Sequence, residues 1–281
     1  MNTIDLFNST SYLCSKTITV NYSSSFSSAI KLFHPELHAP IHGIYGFVRL
    51  ADEIVDTFHN YPKAILLAQF KKDTFDAIDQ KISLNPILQS FQLTVNQYNI
   101  GHELIEAFFD SMHSDLEKKD WTTKEELSRY IYGSAEVVGL MCLQVFCDGN
   151  YEQAKMLAPA ATSLGAAFQK VNFLRDLADD LKNLERSYFP QIDLHCLSRS
   201  EKELIEMDIS KDFERAYAGI LQLPAKARFG VLVAYKYYFC LFQKIKGITP
   251  EQLLSSRVSV PPIKKMLLLL QIKVGNRLGF Q

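Results

Sequence analysis

Apolar residues recur at helical spacing along almost the whole chain, and no stretch alternates apolar and polar positions between hairpin turns. The pattern predicts a helix over 41–58, entered past Pro35 and Pro40. Tyr61-Pro62 opens the next, to 82, and Asn85-Pro86 a third, to 97. Gly101 precedes a helix over 102–116. Thr122 and Thr123, followed by Glu125 and Glu126, signal the start of one that runs to 146. Helices over 151–161 and 163–184 follow, and Pro190 closes that region in a loop. Further helices are expected to 209, over 211–221 and over 225–246, with a short one at 250–255 and a helical tail at 262–278. The fold class this implies is all-α, in one domain covering 1–281, with no repeat and no long linker.

Polar residues interrupt two of these apolar segments in a regular way. Asp52 and Asp56 are spaced i,i+4, as are Asp176 and Asp180, so each pair shares a helix face. Tyr45, Arg49, Asp52 and Asp56 fall within about 60° of arc, and Gln169, Asn172, Asp176 and Asp180 within about 80°. An i,i+4 acid pair is usually a solvated face. Here the flanks are apolar (Phe47, Val48, Ile54, Val55; Val171, Phe173, Leu174, Leu177), and Arg49 and Arg175 stand beside the acids. Stacked carboxylates on apolar helices repel unless a cation lies between them. Hard oxygen ligands suit Mg²⁺, which prefers a few carboxylates plus substrate phosphate oxygens. The guanidinium groups suit phosphate. The two stripes therefore predict a metal and diphosphate site.

Composition narrows the alternatives. A chain of 281 residues can bury a substantial core. A net charge of −1 offers no electrostatic reason for nucleic acid binding. Five scattered Cys without C-x-x-C fit reduced thiols in a cytoplasmic protein. No signal peptide is visible, and no apolar run reaches the ~20 residues of a spanning helix; a peripheral contact with the inner face of a membrane stays compatible. The oligomeric state is left open. No Glu has a His three residues later, so a di-iron bundle is a poor fit. No Walker, Rossmann or G-x-S-x-G motif occurs. His34, His38 and His42 read as surface or capping residues beside Pro35 and Pro40.

Taken together, Y45-GFVRLADEIVD and Q169-KVNFLRDLADDLKNLERSYFP resemble the two aspartate-rich motifs of the squalene and phytoene synthases. The resemblance spans about 22–265. It includes N21-YSSSFSSA, D110-SMHSDL, Y130-IYGSAEVVG, Y238-FCLFQKI and S256-RVSVPPIKK. It implies an isoprenoid-synthase-type helical bundle around a central cavity. It also implies Mg²⁺ (with Mn²⁺ as a substitute) held by Asp52, Asp56, Asp176 and Asp180. Diphosphate contacts would come from Arg49, Gln169, Asn172, Arg175, Tyr238 and Arg257. Ser23, Ser25, Phe26 and Tyr45 would line the same site, and Tyr130 would assist ionisation or proton transfer. Asp115 reads equally as a supporting acid or a surface residue. Phe26, Phe47, Val137, Leu140 and Phe168 are candidate walls. Ser134 and Glu136 depart from the family's usual Val and Gly.

The implied reaction joins two prenyl diphosphates head to head through a cyclopropyl diphosphate. The DEIVD form points to phytoene from geranylgeranyl diphosphate. Squalene or dehydrosqualene from farnesyl diphosphate is the alternative, with NADPH needed only for squalene. Non-catalytic assembly factors share the fold, but they tend to lose the aspartates kept here.

Overall fold

The computed structural model describes residues 3–118, 120–179, 181, 188–190, 192, 197–259 and 261, with the Ser25 side chain excepted. Twelve α-helices and no strand occur among the described residues. They are α1 (Thr3–Tyr22), α2 (Ser24–Ile30), α3 (His38–Asp56), α4 (Lys63–Gln80), α5 (Pro86–Tyr98) and α6 (His102–Glu117). Then come α7 (Lys124–Ile131), α8 (Val137–Phe146), α9 (Tyr151–Asp179), α10 (Arg199–Ile220), α11 (Ala225–Lys246) and α12 (Pro250–Ser255). The expected tail helix at 262–278 lies outside the described residues, as does Cys196.

Caps set many of the boundaries. Asn85 accepts from Ile87 N ahead of Pro86, and Thr123 accepts from Glu126 N. Ser198/Glu201 and Thr249/Gln252 form capping boxes at α10 and α12. Other boundaries differ from the sequence expectation. The helix expected over 151–161 and a second from 163 are one helix, α9, of 29 residues with Pro159 inside. Thr162 Oγ1 is satisfied by Pro159 O at 3.0 Å, so its cap-like residue type serves the helix interior. Packing against α8 and α10 on two sides keeps the helix continuous past the missing N–H. The expected break near 210 is absent for the same kind of reason. Ile209 and Phe213 are fully buried, and Ser210 Oγ donates back to Glu206 O at 2.8 Å. The helix from 124 to 146 runs as α7, a π-helical turn (Tyr132–Glu136) and α8.

The pattern missed α1 because that helix is inverted. Its inward face carries Ser11, Ser15 and Thr19, while Leu6, Leu13 and Val20 face out. Ser15 Oγ shares a hydrogen bond with Ser90 Oγ at 2.7 Å. A Cβ at Gly46 would stand 2.6 Å from Ser15 Oγ, so α1 and α3 approach as closely as they do only because position 46 is glycine. His42 corrects another expectation: it is 6 % exposed, inside α3. Burial, helped by Lys16 and His38, pushes its pKa down to about 4. His34 keeps its expected place ahead of a short 3-10 turn.

The core divides around a cavity. On one side α3 packs on α1, α4 and α5, with Phe47 stacked on Phe91 at 3.8 Å between ring centroids. On the other, α9 packs on α8, α10 and α11, and Lys170 ties α9 to Asp208 and Asp212 of α10 at 2.5 and 2.8 Å. The cavity, about 320 Å³, lies between α2 and α3 on one wall and the π turn, α8, α9, α10 and α11 on the others. Among the described residues no helix is long and apolar enough to cross a membrane.

Candidate active site

The polar mouth of the cavity is built from four parts of the chain. Ser23 caps α2, accepting from Phe26 N at 3.2 Å, and lines the cavity beside Phe26. The Phe26 ring stacks on Tyr45 of α3 at 5.0 Å. Burial raises the Tyr45 pKa, partly opposed by its hydrogen bond with Ser23 and by nearby Arg49. Ser25 lies in α2, and its side chain is outside the described set.

One and two turns further along α3 come Arg49, Asp52 and Asp56. Arg49 reaches Asp52 at 3.9 Å, pairs closely with Glu53, and lies over the Tyr22 ring at 4.5 Å from its centroid. Burial pulls the Arg49 pKa down, but Glu53 and Asp52 more than offset this and raise it overall. Asp52 is the most perturbed acid of the site. Burial, then the charges of Asp56 and Asp115, push its pKa up to about 8 against the pull of Arg49. Asp56 is exposed at the helix end.

The second stripe lies on α9. Gln169 and Asn172 line the cavity. Arg175 Nε donates to both Asp176 oxygens at 3.0 and 3.1 Å, and Arg257 Nε meets Oδ1 at 2.6 Å. Asp176 raises the Arg175 pKa in spite of burial, which works the other way. Arg257 is held over this helix because Val258 N donates to Arg175 O at 3.2 Å and the Val258 side chain is buried. Asp180 and Arg186 lie outside the described residues.

Tyr238 of α11 is bonded to the α9 stripe. Its hydroxyl donates to Asn172 Oδ1 at 3.3 Å and bonds Arg175, its ring stacks on Phe168 at 3.8 Å, and its charge influence reaches Tyr45. Tyr130 is set apart from the cavity lining. Its ring is buried against Trp121 at 4.4 Å, and its hydroxyl donates to Asp115 Oδ2 at 3.1 Å. Asp115 thus connects Tyr130 to Asp52. The sequence left the role of Asp115 evenly divided, and did not single out Trp121, Tyr22 or Glu53. Trp121 is the only Trp in the chain, which was the one available signal.

Below the mouth the walls are apolar. Phe26 and Phe168 line them as expected. Phe47 and Val137 do not: both are fully buried on the far side of their helices. Leu140 packs against the core, and Val138 and Gly139 form the α8 wall in its place. Cys142 lines the cavity with its thiol pushed up to about 12 by burial, so it stays neutral. Cys14, Cys147 and Cys240 are also free thiols. Glu136 turns out of the lining toward Asp212 and Lys170. Its pKa is pushed up to about 7 by burial and then Asp212, against Lys170.

Two features of the mouth suit charged ligands. Arg49 Nε is buried without a hydrogen-bond partner among the described residues, a donor that suits an anion. Burial and the neighbouring Asp56 and Asp115 disfavour the Asp52 carboxylate, so a cation beside it would stabilise its charged form. Among the described residues, no three His, Cys, Asp or Glu side chains stand close enough to hold a metal by themselves. Mg²⁺ is commonly held by one or two carboxylates together with substrate phosphate, and the donors present fit that habit.

Comparison with known proteins places this geometry. The model of the squalene/phytoene synthase family matches residues 19–264. The chain is 25% identical over 256 residues to phytoene synthase 2 of Solanum lycopersicum, covering 82% of this chain and 79% of that one. It is 26% identical over 252 residues to phytoene synthase of Pseudescherichia vulneris, covering 81% and 80%. It spans 62% of the length of the phytoene synthase of Daucus carota. A solved dehydrosqualene synthase in complex with ligand superposes with a TM-score of 0.83 at 19% identity, over 96% of this chain and 98% of that one. At that identity the likeness speaks for the fold.

Proposed function

This chain belongs to the squalene/phytoene synthase family and is a prenyltransferase, and from that premise we propose that it condenses two geranylgeranyl diphosphates head to head into phytoene. The observation that carries the reading is the polar cluster of Gln169, Asn172 and Tyr238 at the mouth of an otherwise apolar cavity, with Tyr238 bonded to Asn172. The alternative is farnesyl diphosphate to dehydrosqualene or squalene, with which the same fold is equally compatible. An assembly factor has no need of an unpartnered buried Arg49 nitrogen beside an Asp52 whose charged form its surroundings disfavour.

Asp52, Asp56, Asp176 and Asp180 would hold Mg²⁺, with Mn²⁺ as a substitute. When bound, the metal neutralises charge on the departing diphosphate and so lowers the barrier to C–O cleavage. Arg49 and Arg257 orient the diphosphate, and Gln169, Asn172 and Tyr238 fix its position beside the α9 stripe. The apolar walls exclude water from the allylic cation, and Phe26 and Phe168 offer ring faces to it. The double bond of the second chain attacks C1 of the cation. Proton loss closes a cyclopropane and leaves one diphosphate ester, one free diphosphate and one proton. A second ionisation, rearrangement and proton loss yield the linear hydrocarbon and the second diphosphate. Tyr130, whose hydroxyl donates to Asp115, would assist proton transfer through that carboxylate.

The test is incubation of purified protein with Mg²⁺ and either geranylgeranyl or farnesyl diphosphate, with mass-spectrometric identification of the product. Phytoene is the expected product. Failure to release diphosphate from either substrate would sink the reading.

A further inference from the structure

We propose that Trp121 is a positioning residue for prenyl transfer: packed on the Tyr130 and Tyr188 rings, it holds the Tyr130 hydroxyl on Asp115. This role rests on the reading above, in which Tyr130 assists proton transfer, and it belongs to a side chain which that reading does not use.

Among the described residues of the connection between α6 and α7, Trp121 alone is buried. Lys118 and Asp120 before it and Thr122 and Thr123 after it are exposed. Connecting loops run over the surface, so an indole driven inward from one marks a specific contact. The backbone on both sides of Trp121 is tied to a single carboxylate. Glu126 accepts from Lys118 Nζ at 3.2 Å, and from Thr122 N and Oγ1 at 3.0 Å each. The indole stays out of the cavity lining. It lies against Tyr130 with ring centroids 4.4 Å apart and against Tyr188 at 5.0 Å. Tyr188 stacks in turn on Phe173 at 3.9 Å, and Phe173 follows Asn172 of the cavity mouth in α9. One aromatic stack therefore joins the loop to α7, to Tyr188 and to α9.

Tyr130 needs this support because its own helix ends beside it. It is the last residue but one of α7, and the π turn begins at Tyr132. Ser111 Oγ donates to Tyr130 O at 3.2 Å, which fixes the Tyr130 backbone on α6, one turn before Asp115. That contact leaves the side-chain torsions to be chosen by packing. A change of χ1 well swings a phenol hydroxyl far from any one partner, so the 3.1 Å bond to Asp115 Oδ2 requires the ring to stay in one well. Trp121 and Phe173 pack on that ring, the second nearly parallel to it at 19° and 6.2 Å. Removing the indole leaves a void beside Tyr130 and forfeits its contacts, and the ring can then relax into the space. The charge of Asp115 also bears on Asp52, so the hydroxyl it accepts from stands one carboxylate away from the mouth.

The experiment is a double-mutant cycle with a structural arm. With Mg²⁺ and the prenyl diphosphate that wild type turns over, kcat and KM are measured for Trp121→Leu, Trp121→Phe, Tyr130→Phe and the two double variants. Folding of each is checked by circular dichroism melting. Trp121→Leu should lower kcat about ten-fold with KM within about two-fold, since a misplaced proton-transfer group costs rate more than binding. Trp121→Phe keeps a smaller ring on Tyr130 and should lose only about three-fold; it carries the cycle if the Leu variant does not fold. Each double variant should be no slower than Tyr130→Phe alone, because the indole acts through that hydroxyl. A crystal structure of the slower folded Trp121 variant should show the Tyr130 hydroxyl off Asp115. Unchanged kcat in the folded variants, losses that multiply in the double variants, or a hydroxyl still on Asp115 would overturn the positioning role alone. No turnover of any prenyl diphosphate by wild type would overturn the reaction and this role with it.

Discussion

The Tyr238 hydroxyl donates to Asn172 Oδ1 at 3.3 Å, across 66 residues of sequence, and the same side chain bonds Arg175. Tyr238→Phe keeps the stacking on Phe168 and removes these polar contacts. On the proposed reading, KM for the prenyl diphosphate should rise about five-fold, the equivalent of one ordinary hydrogen bond, with little change in melting temperature. Steady-state kinetics and a thermal melt check both parts.

Asp52 should report on cation binding through its proton. With its pKa near 8 it is mostly neutral at pH 7, and a metal requires the carboxylate. Binding of Mg²⁺ with pyrophosphate at pH 7 should therefore release about one proton, and Asp52→Asn should release far less. Calorimetry in two buffers of different ionisation enthalpy measures the difference. Equal proton release in both proteins would remove Asp52 from the cation site.

Arg257 and Arg175 both neutralise Asp176 before any ligand arrives. Arg257→Ala should then have opposite effects on two ligands. Affinity for Mn²⁺ alone should rise about two-fold, a modest change because Arg257 is largely exposed. Affinity for pyrophosphate with Mn²⁺ should fall, because a phosphate partner is gone. Manganese electron paramagnetic resonance, with and without pyrophosphate, separates the two.

Glu136 should shape stability against pH. Its folded pKa, about 7, is above the usual carboxyl value of 4.5 because of burial and Asp212, with Lys170 opposing. The folded protein therefore holds this proton more tightly than the unfolded chain. The contribution of Glu136 is most favourable below about pH 4.5, declines as pH rises toward 7, and is flat above that. Glu136→Gln should melt at a higher temperature than wild type at pH 8, with the gap closing toward pH 5. A constant gap across that range would place the titration elsewhere.

Element type was largely legible because helical spacing and caps are local. Asn85-Pro86, Thr123 and the interval 225–246 came through with little error. Errors arose where a long-range partner overrode a local signal. Pro159 and Thr162 look like a helix end, yet α8 and α10 hold α9 straight through them. Ser11, Ser15 and Thr19 look like a solvated face, yet they face α3 and α5. His42 looks like a capping residue and is core. Phe47 and Val137 look like cavity walls and point the other way, because apolar character marks burial without saying which side of a helix borders a void.

The sequence by itself determined the all-α class, the two acid stripes and their family. Those depend on residue type and on spacing within one helix, where geometry is set by 1.5 Å and about 100° per residue. Only the tertiary structure decided that Tyr238 bonds Asn172, that Tyr130 donates to Asp115, and that Phe33 meets Phe146 in the cavity wall. These are distances between helices far apart in the chain. They follow from how ridges, glycines and buried ion pairs let one helix approach another, which no single helix records.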